Sequence, residues 1–194
     1  MTQPPVHHNA PAGLRAWLDS RDAEREPSVR DATIDGVRCI IKRRRPGLAS
    51  GVSYVLRYAR ALFLGLGCKL FLGEFPRPGI LLRNGLEHEA RRLRQLLQAG
   101  CRVPEVWWQE DGLLVLEFVG EDLADLIRNE DDATRLWLTR AAAADLADFH
   151  GRGLWHGGAQ IRNITLQDGE LWRIDFEENI GSTLSRPLAQ AYDL

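Results

Sequence analysis

HGGAQIRNITLQDGELWRIDFEEN, residues 156–179, places a histidine, an asparagine and an aspartate around one turn signal. Asp168-Gly169 divides two β-rich runs, NITLQ and ELWRIDF, and an Asp-Gly pair in that setting predicts a two-residue hairpin. His156 and Asn163 then precede the hairpin, and Asp175 ends its second strand between Ile174 and Phe176. A carboxylate between two apolar residues at a strand end has little structural purpose, because burying an unpaired charge is costly. Glu177 and Glu178 follow at once, and Gly158 lies in the loop just after His156.

Upstream, TRLWLTRAAAADLADFHGRG, residues 134–153, reads as a long helix rich in alanine and leucine, with a short helix in EDLADLIRN before it. RVPEVWWQEDGLLVLEFVG carries a second hairpin signal at Asp111-Gly112. GLEHEARRLRQLLQAG, residues 85–100, predicts an amphipathic helix with Leu86, Leu93, Leu96 and Leu97 as its stripe and Gly100 as its stop. A third hairpin signal, Asp35-Gly36, divides SVRDATIDGVRCIIKRRR, where Val37, Cys39 and Ile41 alternate with Arg38, Ile40 and Lys42. Residues 14–26 read as a short surface helix, and 1–13 as a disordered arm with His7 and His8 solvated.

SYVLRYARALFLGLGCKLFLG, residues 53–73, is the most apolar segment. On a helix, Val55, Ala59, Leu62, Phe63, Leu66 and Leu70 share a face. Arg57, Arg60 and Lys69 argue against a membrane-spanning helix. Two expectations stay open: a helix packed on the protein, or one lying in a membrane surface with its arginines on headgroups.

The chain has 194 residues, 44% hydrophobic and 27% charged, with a net charge of −2. That suffices for a real core and gives no basic field that would call for nucleic acid. Cys39, Cys68 and Cys101 fit neither a disulfide framework nor a zinc site and read as buried free thiols in a reducing compartment. A strand-rich first half and a helix-rich second half give an α+β pattern.

The parts of one phosphoryl-transfer solution occur here in order. Lys42 ends a strand, Glu89 sits in the next helix, and Glu117 and Phe118 end a strand where a linker would lie. Asn163 and Asp175 follow a helix-to-loop junction. DFHGRGLWHGGAQIRNITLQDGELWRIDF resembles the catalytic loop and metal-binding strand of the protein-kinase-like superfamily. It is most similar to the branches with an HGD-type loop: Kdo and lipopolysaccharide-core kinases, RIO-type kinases and aminoglycoside phosphotransferases. EHEARRLRQLLQAGCRVPEV resembles the helix and following strand of the lipopolysaccharide-kinase branch. The likeness covers about residues 31–194.

The resemblance implies a two-lobe kinase-like fold, with an arm and short helix over 1–30 and a strand-rich N-lobe over 31–119 carrying a hydrophobic helical insertion at 50–80. Residues 120–194 become a short C-lobe, either minimal or truncated. The resemblance also implies ATP and magnesium as cofactors. Lys42 would contact nucleotide phosphates, Glu89 would pair with it, and Glu117 would lie at the nucleotide linker. Asn163 and Asp175 would bind the metal, and His156 would brace the catalytic loop. Asp193 matches the buried aspartate that supports that loop. For Glu89, Glu87 and a plain helix-surface role remain open alternatives.

The sequence departs from the pattern at Gly158, where the family places the carboxylate that meets the substrate hydroxyl. Glu177 and Glu178 are candidates to replace it, one as a third metal ligand or as the group that orients the acceptor. Three functions are expected, in this order: a cytoplasmic ATP-dependent kinase acting on a sugar or lipid-linked hydroxyl, peripheral on the inner membrane through residues 53–73 and the KRRR run; a pseudokinase that binds nucleotide without turnover; and a membrane-surface adaptor.

Overall fold

The computed structural model describes residues 8–19, 29–43, 73–74, 85–110, 112–178 and 184–194, and helical residues 55, 59, 62–63, 65–67 and 69–71. Strands β1 (Val29–Ile34) and β2 (Val37–Arg43) pair antiparallel, with Ile34 opposite Val37. The turn between them has Asp35 at φ 50° and Gly36 at φ 78°. Two successive positive φ values are what a twist-matched hairpin turn requires. Strands β3 (Val106–Glu110) and β4 (Leu113–Glu117) form the second hairpin, and β2 pairs with β4, so the sheet runs β1-β2-β4-β3.

Both faces of this sheet are covered. Helix α1 (Leu14–Asp19) lays Leu14, Trp17 and Leu18 over Cys39, Ile41, Trp107, Trp108 and Val115. The short helix expected from residue 14 is thus present to Asp19, and residues 8–13, expected as part of a disordered arm, are tied to the sheet. Leu14 is fully buried, Gly13 N donates to Asp35 Oδ2 at 2.6 Å, and Asn9 Nδ2 donates to the Glu105 carboxylate at 3.0 Å. Without α1 the apolar face of β2, β3 and β4 would stand in water. Residues 1–7 and 20–28 lie outside the described residues, His7 among them.

Helix α2 (Leu86–Gln98) covers the other face with Ala90, Leu93 and Leu96. It ends as the glycine predicts: Gly100 takes φ 72°, its N–H bonds Leu97 O, and Cys101 N bonds Leu96 O at 2.9 Å. That is the paired-bond stop that a left-handed residue after a helix permits. Cys39 and Cys101 are buried free thiols, and burial pushes the Cys39 thiol up to about 11. Cys68 lies outside the described residues.

In the apolar segment, the described residues are helical, and Val55, Phe63, Leu66, Leu70 and Phe71 are 55–82% exposed. The expected apolar face exists but is uncovered at these positions. Among the described residues no helix is long and apolar enough to cross a membrane. Arg57 and Arg60 lie outside the described residues.

The second half begins at Gly120, whose φ is 98° and whose added Cβ would lie 2.2 Å from Leu166 O. Only glycine lets the chain pass so close to the next sheet. Short strand β5 (Glu121–Asp122) joins β6 (Ile164–Gln167) and β7 (Glu170–Arg173) in the order β5-β6-β7. Asp122 caps α3 (Leu123–Asn129), and Asp131 caps α4 (Asp132–Gly151) through Ala133 N and Thr134 N. The expected short helix thus starts after its first two residues, which pair as strand. Asp168 at φ 51° and Gly169 at φ 80° close the β6–β7 turn. Helix α5 (Arg186–Tyr192) ends the chain. Phe149 and Phe176 join Ala90, Leu93 and Leu116 in one core, so helix α4 and the segment after β7 pack directly against α2 and the first sheet.

Candidate functional site

Strand alternation places Lys42 on the Ile40 side of β2, facing α2. There its Nζ donates to Glu89 Oε1 at 2.8 Å and Oε2 at 3.0 Å, and to Asp175 Oδ1 at 2.9 Å; Glu177 Oε1 lies 3.6 Å away. Glu89 is fully buried, one position before Ala90 on the stripe of α2 that packs on the sheet. Its burial separates it from Glu87, which faces a surface groove with Arg91 and Arg94. Asp175 holds φ 65°, a left-handed conformation that a non-glycine residue enters at a cost. The bend turns its carboxylate back toward Lys42 while Phe176 enters the core.

Burial works against the charge on Lys42, but Glu89 and Asp175 outweigh it and hold its pKa above the ordinary lysine value. Burial raises Glu89 to about 7, opposed by Lys42 and reinforced by Asp175 and Glu177. The two directions agree: one ammonium faces three carboxylates, and Lys42 and Glu89 both hold their protons more tightly. Lys42 is also removed from the expected basic surface run, because its charge is spent inside this cluster.

Glu89, Asp175 and Glu177 present oxygens within 4.8 Å of one another. An all-oxygen set with excess negative charge suits a hard divalent cation such as magnesium. Asn163 is buried in the 3-10 turn Ile161–Asn163; its Nδ2 donates to Gly158 O at 2.8 Å, so Oδ1 is the atom that could hold a metal. Its backbone carbonyl accepts from Ile174 N at 3.0 Å, tying the loop to the strand that delivers Asp175.

The loop itself hangs on Asp193. This buried carboxylate accepts from His156 N at 2.6 Å, Gly157 N at 2.7 Å and Gly158 N at 3.1 Å, and meets His150 Nε2 at 3.1 Å. His156 is 3% exposed, pairs through Nε2 with Ile174 O at 2.9 Å, and stacks on Phe176 at 4.2 Å. Burial lowers its pKa to about 4. At neutral pH the ring is therefore uncharged, and Nε2–H donates to the Ile174 carbonyl. It lies beneath the loop, with Nδ1 buried and without a hydrogen-bond partner among the described residues.

Of the residues singled out in the sequence, Lys42, Glu89, Asp175 and Glu177 come together, with Asn163 and His156 in the loop beside them. Glu117 does not join them. Its carboxylate accepts from Glu105 N at 3.2 Å, just before β3. Glu178 turns the other way from Glu177 and accepts from Tyr192 Oη at 3.1 Å. Sequence reasoning passed over Arg92, which donates to Trp155 O at 2.9 Å and lies over the Trp155 ring, joining the helix of Glu89 to the loop. A separation of 63 residues leaves no local signal for such a pair.

The family model for the RIO domain matches residues 80–190. The chain is 31% identical over 91 residues to the KEOPS complex subunit Bud32 of Pyrococcus abyssi, covering 45% of this chain and 41% of that protein. It is 29% identical over 102 residues to an uncharacterized protein of Haemophilus influenzae, covering 52% of this chain and 42% of the other. The chain thus matches about two fifths of the length of each of these relatives.

Proposed function

The chain belongs to the RIO-domain family, within the protein-kinase-like superfamily, and on that premise we propose that it transfers the γ-phosphoryl group of ATP to a hydroxyl. The observation that carries this reading is the single ammonium of Lys42 bonded to Glu89 of α2 and Asp175 after β7. Three distant segments converge on one cation, and the cluster keeps surplus negative charge. Phosphoryl transfer asks a protein chiefly for positioning and charge neutralisation.

In this reading the Lys42 ammonium holds phosphate oxygens, and Glu89 fixes its position. Asp175, Asn163 Oδ1 and Glu177 would hold magnesium, which would supply neutralising charge for the phosphates. His156 and Asp193 keep the loop in place. The lobes divide at residues 119 and 120, with the nucleotide between them. The acceptor is a sugar or lipid-linked hydroxyl, a class supported by the likeness of the loop and of α2 to lipopolysaccharide kinases. The name of the Pyrococcus relative supports a different partner, a protein assembly. Work on cytoplasmic extracts with both acceptor classes separates these.

The test of transfer is release of labelled phosphate from ATP by wild type and Asp175→Asn. Turnover should fall about 10²-fold or more in the variant, the scale on which electrostatic groups of such sites act. Equal turnover in both would overturn the reading.

Gly158 favours a second reading, a nucleotide-binding module without turnover. The exposed row of Val55, Phe63, Leu66 and Leu70 supports peripheral contact with a bilayer surface as an added property. Co-sedimentation with anionic vesicles, lost in Phe63→Asp with Leu70→Asp, is the expected result. Sedimentation unchanged by those substitutions would remove it.

A further inference from the structure

The loop that this chain resembles carries an aspartate where Gly158 stands, yet the loop as built requires glycine there. Gly158 N donates to Asp193 Oδ1 at 3.1 Å, and its carbonyl accepts from Asn163 Nδ2 at 2.8 Å and Gln160 N at 2.7 Å. Its φ is +156°, a conformation that side-chain-bearing residues rarely adopt.

The space in front of Gly158 nevertheless faces a carboxylate. A Cβ built on Gly158 would meet Glu178 Oε2 at 3.9 Å and its Cδ at 4.0 Å, ordinary contact distances. Glu178 arrives from the opposite side of the site, on the segment that has just delivered Asp175. Tyr192 Oη donates to the same Oε2 at 3.1 Å. Tyr192 and Asp193 are neighbours at the end of α5, so one helix end holds both the loop and this carboxylate. Glu177 instead points to Lys42. The two adjacent glutamates therefore serve opposite sides of the site.

We infer that Glu178 is the catalytic carboxylate of this site, moved from loop position 158 to the segment after Asp175, with Tyr192 as its positioning residue. The inference rests on the phosphotransfer reading above. The acceptor oxygen attacks the γ-phosphorus, the bond to the bridging oxygen of ADP breaks, and the hydroxyl proton passes to the Glu178 carboxylate and on to solvent. Water serves as the acceptor when no alcohol is present.

The experiment uses the full chain with magnesium and ATP, reading thermal stabilisation and phosphate release separately. Glu178→Gln should keep the wild-type stabilisation and KM for ATP while kcat falls about 10²-fold, the lower end of general-base effects. Glu178→Asp should recover part of that loss. Tyr192→Phe should lower kcat about 10-fold, the lower end for a hydrogen bond to a charged group, with KM unchanged. If the wild type binds and turns over ATP and Glu178→Gln keeps full kcat, the relocation is overturned alone. Binding without phosphate release by the wild type also overturns it and leaves a nucleotide-binding module. If the wild type shows no stabilisation by magnesium-ATP, the phosphotransfer reading falls, and the relocation falls with it.

Discussion

Lys42→Met is expected to destabilise the protein by about 3–5 kcal/mol and to abolish its response to magnesium-ATP, since removing one partner of a buried ion pair leaves an uncompensated charge. Methionine keeps the length and apolar stem of lysine, so packing against α2 survives and the effect isolates the ammonium. What remains is Glu89, fully buried, beside Asp175 and Glu177. The pH dependence has a definite sign. A carboxyl whose folded pKa is raised gives stability that is complete below its unfolded pKa and is lost as the pH rises through the folded one. Glu89 stands at about 7 even with Lys42 present. The variant should therefore approach wild-type stability in mild acid and fall away as the pH passes 7 and rises further. Urea midpoints across that range read the effect. A constant difference at all pH values would mean that Lys42 contributes something other than compensation of Glu89.

Asp193→Ala carries the second large expectation. Three consecutive backbone N–H groups and His150 depend on this one side chain. Each buried donor left without an acceptor costs about 1–3 kcal/mol, so the loss should reach about 3 kcal/mol or more after water takes up part of it. The amides of His156, Gly157 and Gly158 should exchange with solvent far faster in the variant, and turnover should fall with them. Asp193→Asn, which keeps an acceptor oxygen but not the charge, should fall between. Unchanged exchange at these amides would show that the loop is held by His156 and Asn163 alone.

Much of the fold was legible because its signals are local. The Asp-Gly pairs at 35–36 and 168–169 set two hairpin registers, and Gly100 stopped α2 where expected. Lys42, Glu89 and Asp175 were singled out because a resemblance supplied their order; the geometry adds that one ammonium joins all three. The misses share a physical cause. Residues 8–13 looked like part of an arm, and Leu14, Trp17 and Leu18 like isolated apolar positions of a surface helix, because nothing local shows that the sheet's outer face needs a cover. For Glu117, expected at the nucleotide linker, nothing in the sequence showed that its carboxylate accepts the backbone N–H of Glu105, just before β3. Glu177 and Glu178 could not be separated in sequence, since adjacent residues differ only in direction. That direction is set by tertiary contacts, Lys42 for one and Tyr192 for the other.

Phosphoryl transfer by this chain depends most directly on whether Asp175 and Lys42 form a magnesium-nucleotide site. Thermal unfolding of wild type and Asp175→Asn, each with and without magnesium-ATP, tests it. A ligand at 100 times its dissociation constant stabilises by about 2.7 kcal/mol, a readable shift for a chain of this size. The account predicts that shift in the wild type and a clearly smaller one in Asp175→Asn. No shift at saturating nucleotide, or an equal shift in both proteins, would contradict it.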